Sequence, residues 1–236
     1  MEHNGVRILA LSDSALCIEL GHGIDRETNA RVHALCRAIN AASIAGVAET
    51  VPTYRSLAVH YDMLKTGQAE LIDALLPIID GAGKGEQAEG ELVRIPVLYG
   101  GEWGADIETV ARLNSLSVDE VIAIHTAPEY PVYMLGFLPG FCYLGGMDAR
   151  IAAPRLKTPR VRIEPGSVGI AGEQTGIYPI ASPGGWQLIG RTPLSLYSPA
   201  RKKPILLKAG MRIRFYSIDR AEYERIRAEE EAEWAK

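Results

Sequence analysis

The 236-residue sequence contains few of the features that mark a disulfide-bonded, secreted or membrane protein. Its cysteines form no CxxC pair and cannot all be joined in disulfides, which is typical of a reducing compartment. No run approaches the roughly 18 apolar residues that a membrane helix requires. Acidic residues interrupt residues 1–20, so we expect no signal peptide. We therefore expect a cytoplasmic protein without membrane association. The cysteines are Cys17, Cys36 and Cys142.

Positive charge and common catalytic motifs are also scarce. The formal net charge of −4 argues against a general nucleic-acid binder, which needs a basic face. The sequence contains no GxSxG, no HExxH and no Cys/His metal-ligand spacing, so we expect no metal site. The GAGKG run at the start of residues 81–91 lacks the Ser/Thr that ends a phosphate loop and follows a predicted helix. We interpret residues 81–91 as a flexible linker.

The N-terminal part has the pattern of a small α+β domain. Asp25 is a plausible N-cap for a helix whose apolar stripe includes Cys36, which we interpret as a core residue. Apolar runs separated by turn residues predict strands around this helix. The order ββαββα predicts an α+β domain over residues 1–80, with helices covering one face of a sheet. The predicted strands are 6–11, 15–20, 49–54 and 56–61, and the second helix is 68–79.

Residues 92–236 read as mainly β, with a short helical insert and a charged C-terminal helix over 219–236. Helices are predicted at 106–113 and 118–125, and Ser117 with Glu120 forms a capping box at the second. Short strands separated by turn residues predict a barrel or a sandwich. The predicted strands are 92–98, 130–135, 161–163, 167–170, 176–178, 186–189, 204–207 and 211–217.

The Gly/Pro-rich run 136–193 is the most distinctive part of the chain. It holds 11 of the 24 glycines and seven of the 14 prolines, a density that excludes a long helix. Within it, GFLPGFCYL, the Pro-Arg pairs at 154–155 and 159–160, GSVGIAGEQTGIYP and SPGGWQLIGRTP resemble one family. That family comprises the B-type subunit of 5-oxoprolinase, allophanate hydrolase subunit 1 and KipI-type kinase inhibitors. DSALCIELG and VPTYRSLAVHYD resemble its N-terminal blocks. The resemblance implies a cyclophilin-like closed barrel over residues 92–236.

A cluster of cations is the first candidate site. Arg155 and Arg160 each follow a proline that stiffens the backbone, and guanidinium groups suit carboxylates and phosphates. Arg191 is a further candidate to face an anion. The alternative is that alternate strand positions simply face water. The cluster contains Arg150, Arg155, Lys157, Arg160 and Arg162.

Polar residues in the same run are candidates to line a substrate. Gln174, Thr175 and Tyr178 lie among glycines that permit close backbone approach, although tight barrel turns would use the same residues. His125, at a helix end, is a candidate acid/base or hydrogen-bonding group at the barrel rim; the alternative is an interaction with the helix dipole.

The aromatic loop of the run is a candidate partner surface. The loop is apolar and rigid. If its aromatic rings are exposed, they are typical of a protein interface; if they are buried, they belong to the core. Cys142 stands in this loop where the family usually has Pro, so we expect no catalytic thiol there. The partner-surface candidates are Phe137, Pro139, Phe141, Tyr143 and Trp186.

The resemblance implies one component of an ATP-dependent 5-oxoprolinase, which converts 5-oxoproline, ATP and water to glutamate. It implies a C-type partner, a third component of the A type, and ATP with Mg²⁺ in a site shared with the partner. The alternatives are a KipI-type inhibitor of a sensor histidine kinase and a component of an allophanate or urea amide hydrolase.

Overall fold

The computed structural model describes residues 1–81 and 90–234, in two compact units, Met1–Glu89 and Gly90–Lys236. Most of the predicted linker, residues 82–89, lies outside the described residues.

The first unit is a five-stranded antiparallel sheet with two helices. The strands pair in the order β1-β2-β3-β5-β4. They are β1 Glu2–His3, β2 Val6–Ser12, β3 Ala15–Glu19, β4 Val47–Pro52 and β5 Ser56–Tyr61, and the helices are α1 Arg26–Ala42 and α2 Gln68–Gly81. The predicted order ββαββα is confirmed, with β1 as a short addition.

The core of this unit lies between the sheet and its helices. Alternate residues of β3, such as Leu16 and Ile18, are fully buried together with Leu35 of α1 and Leu71 of α2. Every second side chain of a strand points to the same face of the sheet, and side chains three or four positions apart lie on the same face of a helix. One face of each element therefore supplies the core. The Asp25 side chain accepts a hydrogen bond from the Thr28 N–H at 2.8 Å, which confirms the predicted N-cap.

The second unit contains nine strands and three helices within residues 90–234. The strands are β6 Leu92–Tyr99, β7 Tyr130–Leu135, β8 Cys142–Leu144, β9 Arg160–Ile163, β10 Ser167–Ala171, β11 Gln174–Ile177, β12 Ser182–Gly184, β13 Gln187–Arg191 and β14 Arg212–Ser217. The helices are α3 Ile107–Leu113, α4 Val118–Thr126 and α5 Arg220–Trp234, and Ala149–Ile151 forms one 3-10 turn. The predicted capping box of α4 is present.

Seven strands form a barrel-like sheet in the order β11-β10-β13-β6-β14-β7-β8. Its two edges come together, because a Cβ placed on Gly176 of β11 would lie 3.3 Å from the carbonyl oxygen of Cys142 in β8. Strands β9 and β12 form a separate antiparallel pair. The β6–β14 ladder is parallel, and the other ladders are antiparallel among the described residues.

One predicted strand is wrong. Residues 204–207 contribute only an isolated bridge between Ile205 and Tyr197. Pro204 has no N–H to donate to a ladder, so the apolar run that follows it gives a buried Leu207 without strand pairing. Strands β8 and β12, each of three residues, have no counterpart among the predicted strands.

Candidate functional site

Three aromatic rings meet at one place in the second unit, and we call Phe141, Tyr178 and Trp186 the aromatic cluster. The rings are edge-on to one another, with centroids 5.6 Å apart for Phe141–Tyr178 and Phe141–Trp186 and 6.2 Å apart for Tyr178–Trp186. Each residue is at most 5% exposed. This burial corrects the predicted role of Phe141 and Trp186 in a partner surface, because their rings are already enclosed by the chain's own side chains.

A glycine makes room for the Tyr178 phenol. A Cβ on Gly184 would overlap the Tyr178 hydroxyl oxygen, far inside van der Waals contact. The close approach explains why β12 carries a glycine here. Burial raises the pKa of Tyr178, while the positive charges of Arg155 and Arg160 act in the opposite direction. The phenol is therefore neutral at physiological pH, and both predicted arginines lie near it.

Arg160 already has an anionic partner. Its Nη2 donates to Oδ1 of Asp106 at 2.8 Å, and its Nη1 donates to the carbonyl of Trp186 at 3.3 Å. The second carboxylate oxygen of Asp106 accepts from the Leu188 N–H at 2.6 Å. The Asp106 carboxylate thus neutralises the Arg160 guanidinium, which is not available to bind another anion. Arg160 instead links β9 to the start of α3 and to the residue before β13.

Arg155 is the available cation beside the aromatic cluster. It is exposed and has no ion-pair partner within residues 1–81 and 90–234. Its neighbours fix its backbone: the Pro154 carbonyl accepts from Gln187 Nε2 at 2.9 Å, and the Leu156 N–H donates to the Gly185 carbonyl at 2.7 Å. An unpaired guanidinium on a fixed stretch of backbone suits recognition of a carboxylate. Sequence reasoning did not single out Gln187, since nothing local relates it to Pro154.

The other cations of the predicted cluster are placed differently. Arg150 pairs with Asp148 at 2.7 Å and Arg162 pairs with Glu164 at 2.6 Å, so both are neutralised on the surface. Lys157 is exposed. The interpretation of Arg150 and Lys157 as solvent-facing charges agrees with these positions.

His125 lies in the interior, which corrects its expected position at the barrel rim. The residue is 0% exposed, and its ring stacks on Phe215 with centroids 4.5 Å apart. Its Nδ1 lies 2.7 Å from the Tyr99 hydroxyl, and its Nε2 lies 2.9 Å from Oγ1 of Thr175. Thr175 is also 0% exposed. Neither residue contacts the surface, so neither lines a substrate in this structure.

The hydrogen bonds assign the tautomer of His125. The Thr175 hydroxyl donates to the Gly169 carbonyl at 3.1 Å, so its oxygen accepts from Nε2–H of His125. Nδ1 then accepts from the Tyr99 hydroxyl, whose pKa is raised by burial. Burial lowers the pKa of His125 to about 3, so the imidazole is neutral. The chain of donors joins α4 to β6, β10 and β11 as a buried structural network.

Arg191 and Gln174 are two further residues that the sequence predicts to line a substrate. Nε of Arg191 donates to the Pro165 carbonyl at 2.9 Å, and its guanidinium lies 5.9 Å from the Trp103 ring centroid. Gln174 is half-buried at the start of β11, opposite Ala171. The substrate-binding roles of these two residues stay predictions.

The loop before β8 remains an exposed apolar surface. Phe137 is 65% exposed and has φ of +65°, an uncommon backbone conformation for a bulky residue. Pro139 is exposed, and Tyr143 is half-buried with its ring edge-on to Phe141 at 5.0 Å. Outlier backbone of this kind clusters at functional sites. The partner-surface prediction for Phe137, Pro139 and Tyr143 stays open to test.

Cys142 is enclosed and unreactive in this structure. It is 0% exposed, and burial raises the pKa of its thiol to about 12. The thiolate needed for nucleophilic attack is therefore scarce at neutral pH, in agreement with the expectation of no catalytic thiol.

No three His, Cys, Asp or Glu side chains within residues 1–81 and 90–234 are grouped so as to hold a metal ion. No helix in these ranges is long and apolar enough to span a membrane.

A known protein family matches most of the chain. Residues 6–207 match the family described as carboxyltransferase domain, subdomain C and D, and the chain belongs to that family. Over 227 residues it is 46% identical to a Bacillus subtilis (strain 168) protein that is named as the B-type subunit of 5-oxoprolinase. That match covers 92% of this chain and 95% of the relative.

Solved structures resemble the chain as well. A conserved uncharacterized protein from Pyrococcus horikoshii is 49% identical, with a TM-score of 0.56, and the match covers 92% of this chain and all of that one. The urea carboxylase of Kluyveromyces lactis matches with a TM-score of 0.76 at 21% identity, over 95% of this chain and 23% of that chain. At that identity the second match concerns the fold alone: a mixed α/β architecture with a nearly closed, barrel-like sheet.

Proposed function

We propose that this chain is the B-type component of an ATP-dependent 5-oxoprolinase, which opens the lactam of 5-oxoproline to give glutamate. The observation that carries the proposal is the 46% identity to the Bacillus subtilis relative of that name, over nearly the full length of both chains. A C-type subunit is the proposed direct partner, with an A-type subunit completing the assembly. We also propose that the barrel-like sheet is of the cyclophilin type.

Arg155 is the proposed contact for the substrate carboxylate. It is exposed, its backbone is fixed on both sides, and the Tyr178 phenol interacts electrostatically with both Arg155 and Tyr143. A bidentate guanidinium–carboxylate pair gives both affinity and orientation. The half-buried Tyr143 ring offers an apolar surface for the methylene groups of the lactam ring. Phe137 and Pro139 extend this surface toward a partner.

The turn before α3 does not suit the phosphates of a nucleotide. The glycine-containing turn between β6 and α3, which includes Gly100 and Gly101, leads to Asp106 at the start of a helix of seven residues. A carboxylate at that position repels phosphate and is already paired with Arg160. We therefore propose that ATP, with its Mg²⁺, binds in a site completed by the partner, where phosphorylation of the lactam oxygen would create a good leaving group.

The test is 5-oxoproline-dependent ATP hydrolysis by the chain alone and mixed with C-type and A-type subunits from the same genome. We expect turnover only in the mixture. A stable complex that hydrolyses ATP with urea or allophanate instead would identify the amide-hydrolase alternative. No complex with these subunits, together with inhibition of a sensor histidine kinase, would overturn the proposal in favour of the KipI-type alternative.

A further inference from the structure

Two arginines lie side by side on the outer face of the parallel β6–β14 ladder. Arg94 of β6 is in register with Arg214 of β14. Their neighbours Ile95 and Phe215 point inward and are at most 1% exposed, so the two arginines share the opposite, exposed face. Adjacent strands lie about 4.8 Å apart, which places the two guanidinium stems next to each other.

No carboxylate neutralises this pair among residues 1–81 and 90–234, since neither arginine has an ion-pair or hydrogen-bond partner there. Like charges directly opposite on neighbouring strands destabilise a sheet. The next arginine on the same face shows the contrast, because Arg212 pairs with Glu129 at 2.5 Å. The pair therefore places two unmatched positive charges side by side on a chain of net charge −4.

The surroundings of the pair form a shallow concave surface with hydrogen-bonding groups. The Arg94 guanidinium lies over the Tyr216 ring, 5.1 Å from its centroid, which holds one of the two cations in place. Thr126 and Ser217 line the same depression as the arginines. The Thr126 hydroxyl already donates to the Ile122 carbonyl at 2.8 Å, so Ser217 is the residue whose hydroxyl could donate to a ligand. Two cations, one of them held, and a nearby hydroxyl donor are the usual elements of an oxyanion site.

We propose that Arg94 and Arg214 form a binding site for a phosphoryl group of a small molecule. A phosphoryl group offers more acceptor oxygens and more charge than a single carboxylate, and so suits two adjacent guanidinium forks. The site lies on strands that do not contribute to the aromatic cluster and is distinct from the surface at Arg155. It thus goes beyond the proposed 5-oxoproline function and holds whether or not that function is correct.

The experiment is a calorimetric titration of the purified full chain with pyrophosphate, at low and at physiological salt. We expect saturable binding that weakens at least about tenfold in both Arg94→Gln and Arg214→Gln, because each variant removes charge-assisted hydrogen bonds. The matched control is Arg37→Gln, which removes an exposed arginine from α1 and is expected to bind as the wild type does. Both test variants should fold and melt close to the wild-type temperature, because both positions are exposed.

Four outcomes would overturn the proposal. The first is no binding of pyrophosphate by the wild type at millimolar concentration. The second is equal binding by wild type and both test variants. The third is equally tight binding of malonate, which would assign the pair to carboxylates. If the variants instead lose a protein partner while pyrophosphate binding is unchanged, the pair belongs to a protein interface and the proposal is also wrong.

Discussion

The carboxylate of Asp106 joins Arg160 to the strand that follows the aromatic cluster. Oδ1 accepts from Arg160 Nη2 at 2.8 Å, and Oδ2 accepts from the Leu188 N–H at 2.6 Å. Asp106 precedes α3 but makes no capping hydrogen bond to that helix with its side chain. The carboxylate therefore binds Arg160, which is 54 positions away in the sequence, and does not cap the helix that follows it.

We predict that Asp106→Asn lowers the free energy of unfolding by about 1–3 kcal/mol, because an amide oxygen replaces a carboxylate that accepts two hydrogen bonds. Glu173→Gln, which removes one exposed carboxylate from a turn, is the control and should change stability little. Urea denaturation of both variants measures the difference. Equal midpoints for Asp106→Asn and Glu173→Gln would contradict the bridging role.

Burial of neutral His125 predicts a pH-dependent stability. The pKa of His125 is about 3 in the folded chain, below the ordinary value of 6.5, so the unfolded chain binds more protons between these values. Its contribution is fully present above pH 6.5 and is lost as the pH falls, with a limiting slope of about 1.4 kcal/mol per pH unit.

Tyr99→Phe and His125→Gln separate this effect from general acid denaturation. Stability measured from about pH 4.5 to 8 should show a smaller slope in His125→Gln than in the wild type. Tyr99→Phe retains the histidine and should keep the slope at lower overall stability, since Nδ1 then lacks its donor. An unchanged slope in a folded His125→Gln chain would refute the assignment.

The Thr175 hydroxyl supports a further prediction. Thr175→Val preserves the shape of the side chain but leaves Nε2–H of His125 without its acceptor, and the Gly169 carbonyl, which faces Gly176 in the β10–β11 ladder, loses the hydroxyl donor. We expect a loss of about 1–3 kcal/mol for each buried group left unsatisfied. Thr175→Ser keeps the hydroxyl and is the control. If valine and serine variants melt at the same temperature, the buried network does not stabilise the chain.

Phe137 should matter more to a partner than to the fold. Its ring is 65% exposed, and glycine adopts its φ of +65° without strain. We predict that Phe137→Gly leaves the melting temperature unchanged or raised while weakening the affinity for the C-type partner at least about tenfold. Leu64→Gly in the first unit, at a position that is 93% exposed, is a control for loss of surface apolar area. Wild-type partner affinity in Phe137→Gly would exclude this loop from the interface.

Local signals predicted the elements that depend on nearby residues. Asp25 and the Ser117–Glu120 pair cap their helices as expected because each cap involves atoms within a few residues. The position of His125 was not predictable in this way, since its burial depends on Thr175, 50 residues further along the chain. His125 does lie in the last turn of α4, as predicted, but the barrel-like sheet buries it completely.

The candidate site was predictable in part for the same reason. A proline before each arginine marked Arg155 and Arg160 equally in the sequence. Only the fold distinguishes them, because it places Asp106 within ion-pair distance of Arg160. The aromatic run was visible in the sequence. The sequence does not show which rings face inward, because this depends on the pairing of β8 with β7 and on the contact between β8 and β11. Phe141 is buried as a result, and Phe137 is exposed.

The most direct test of the account is the Michaelis constant for 5-oxoproline in the reconstituted complex with Arg155→Gln. The control is Arg162→Gln, because Arg162 is exposed nearby and already paired with Glu164. We predict that Arg155→Gln raises KM about tenfold to a hundredfold with complex formation intact, through loss of the carboxylate contact, and that Arg162→Gln resembles the wild type. An unchanged KM in Arg155→Gln would contradict substrate binding at this surface.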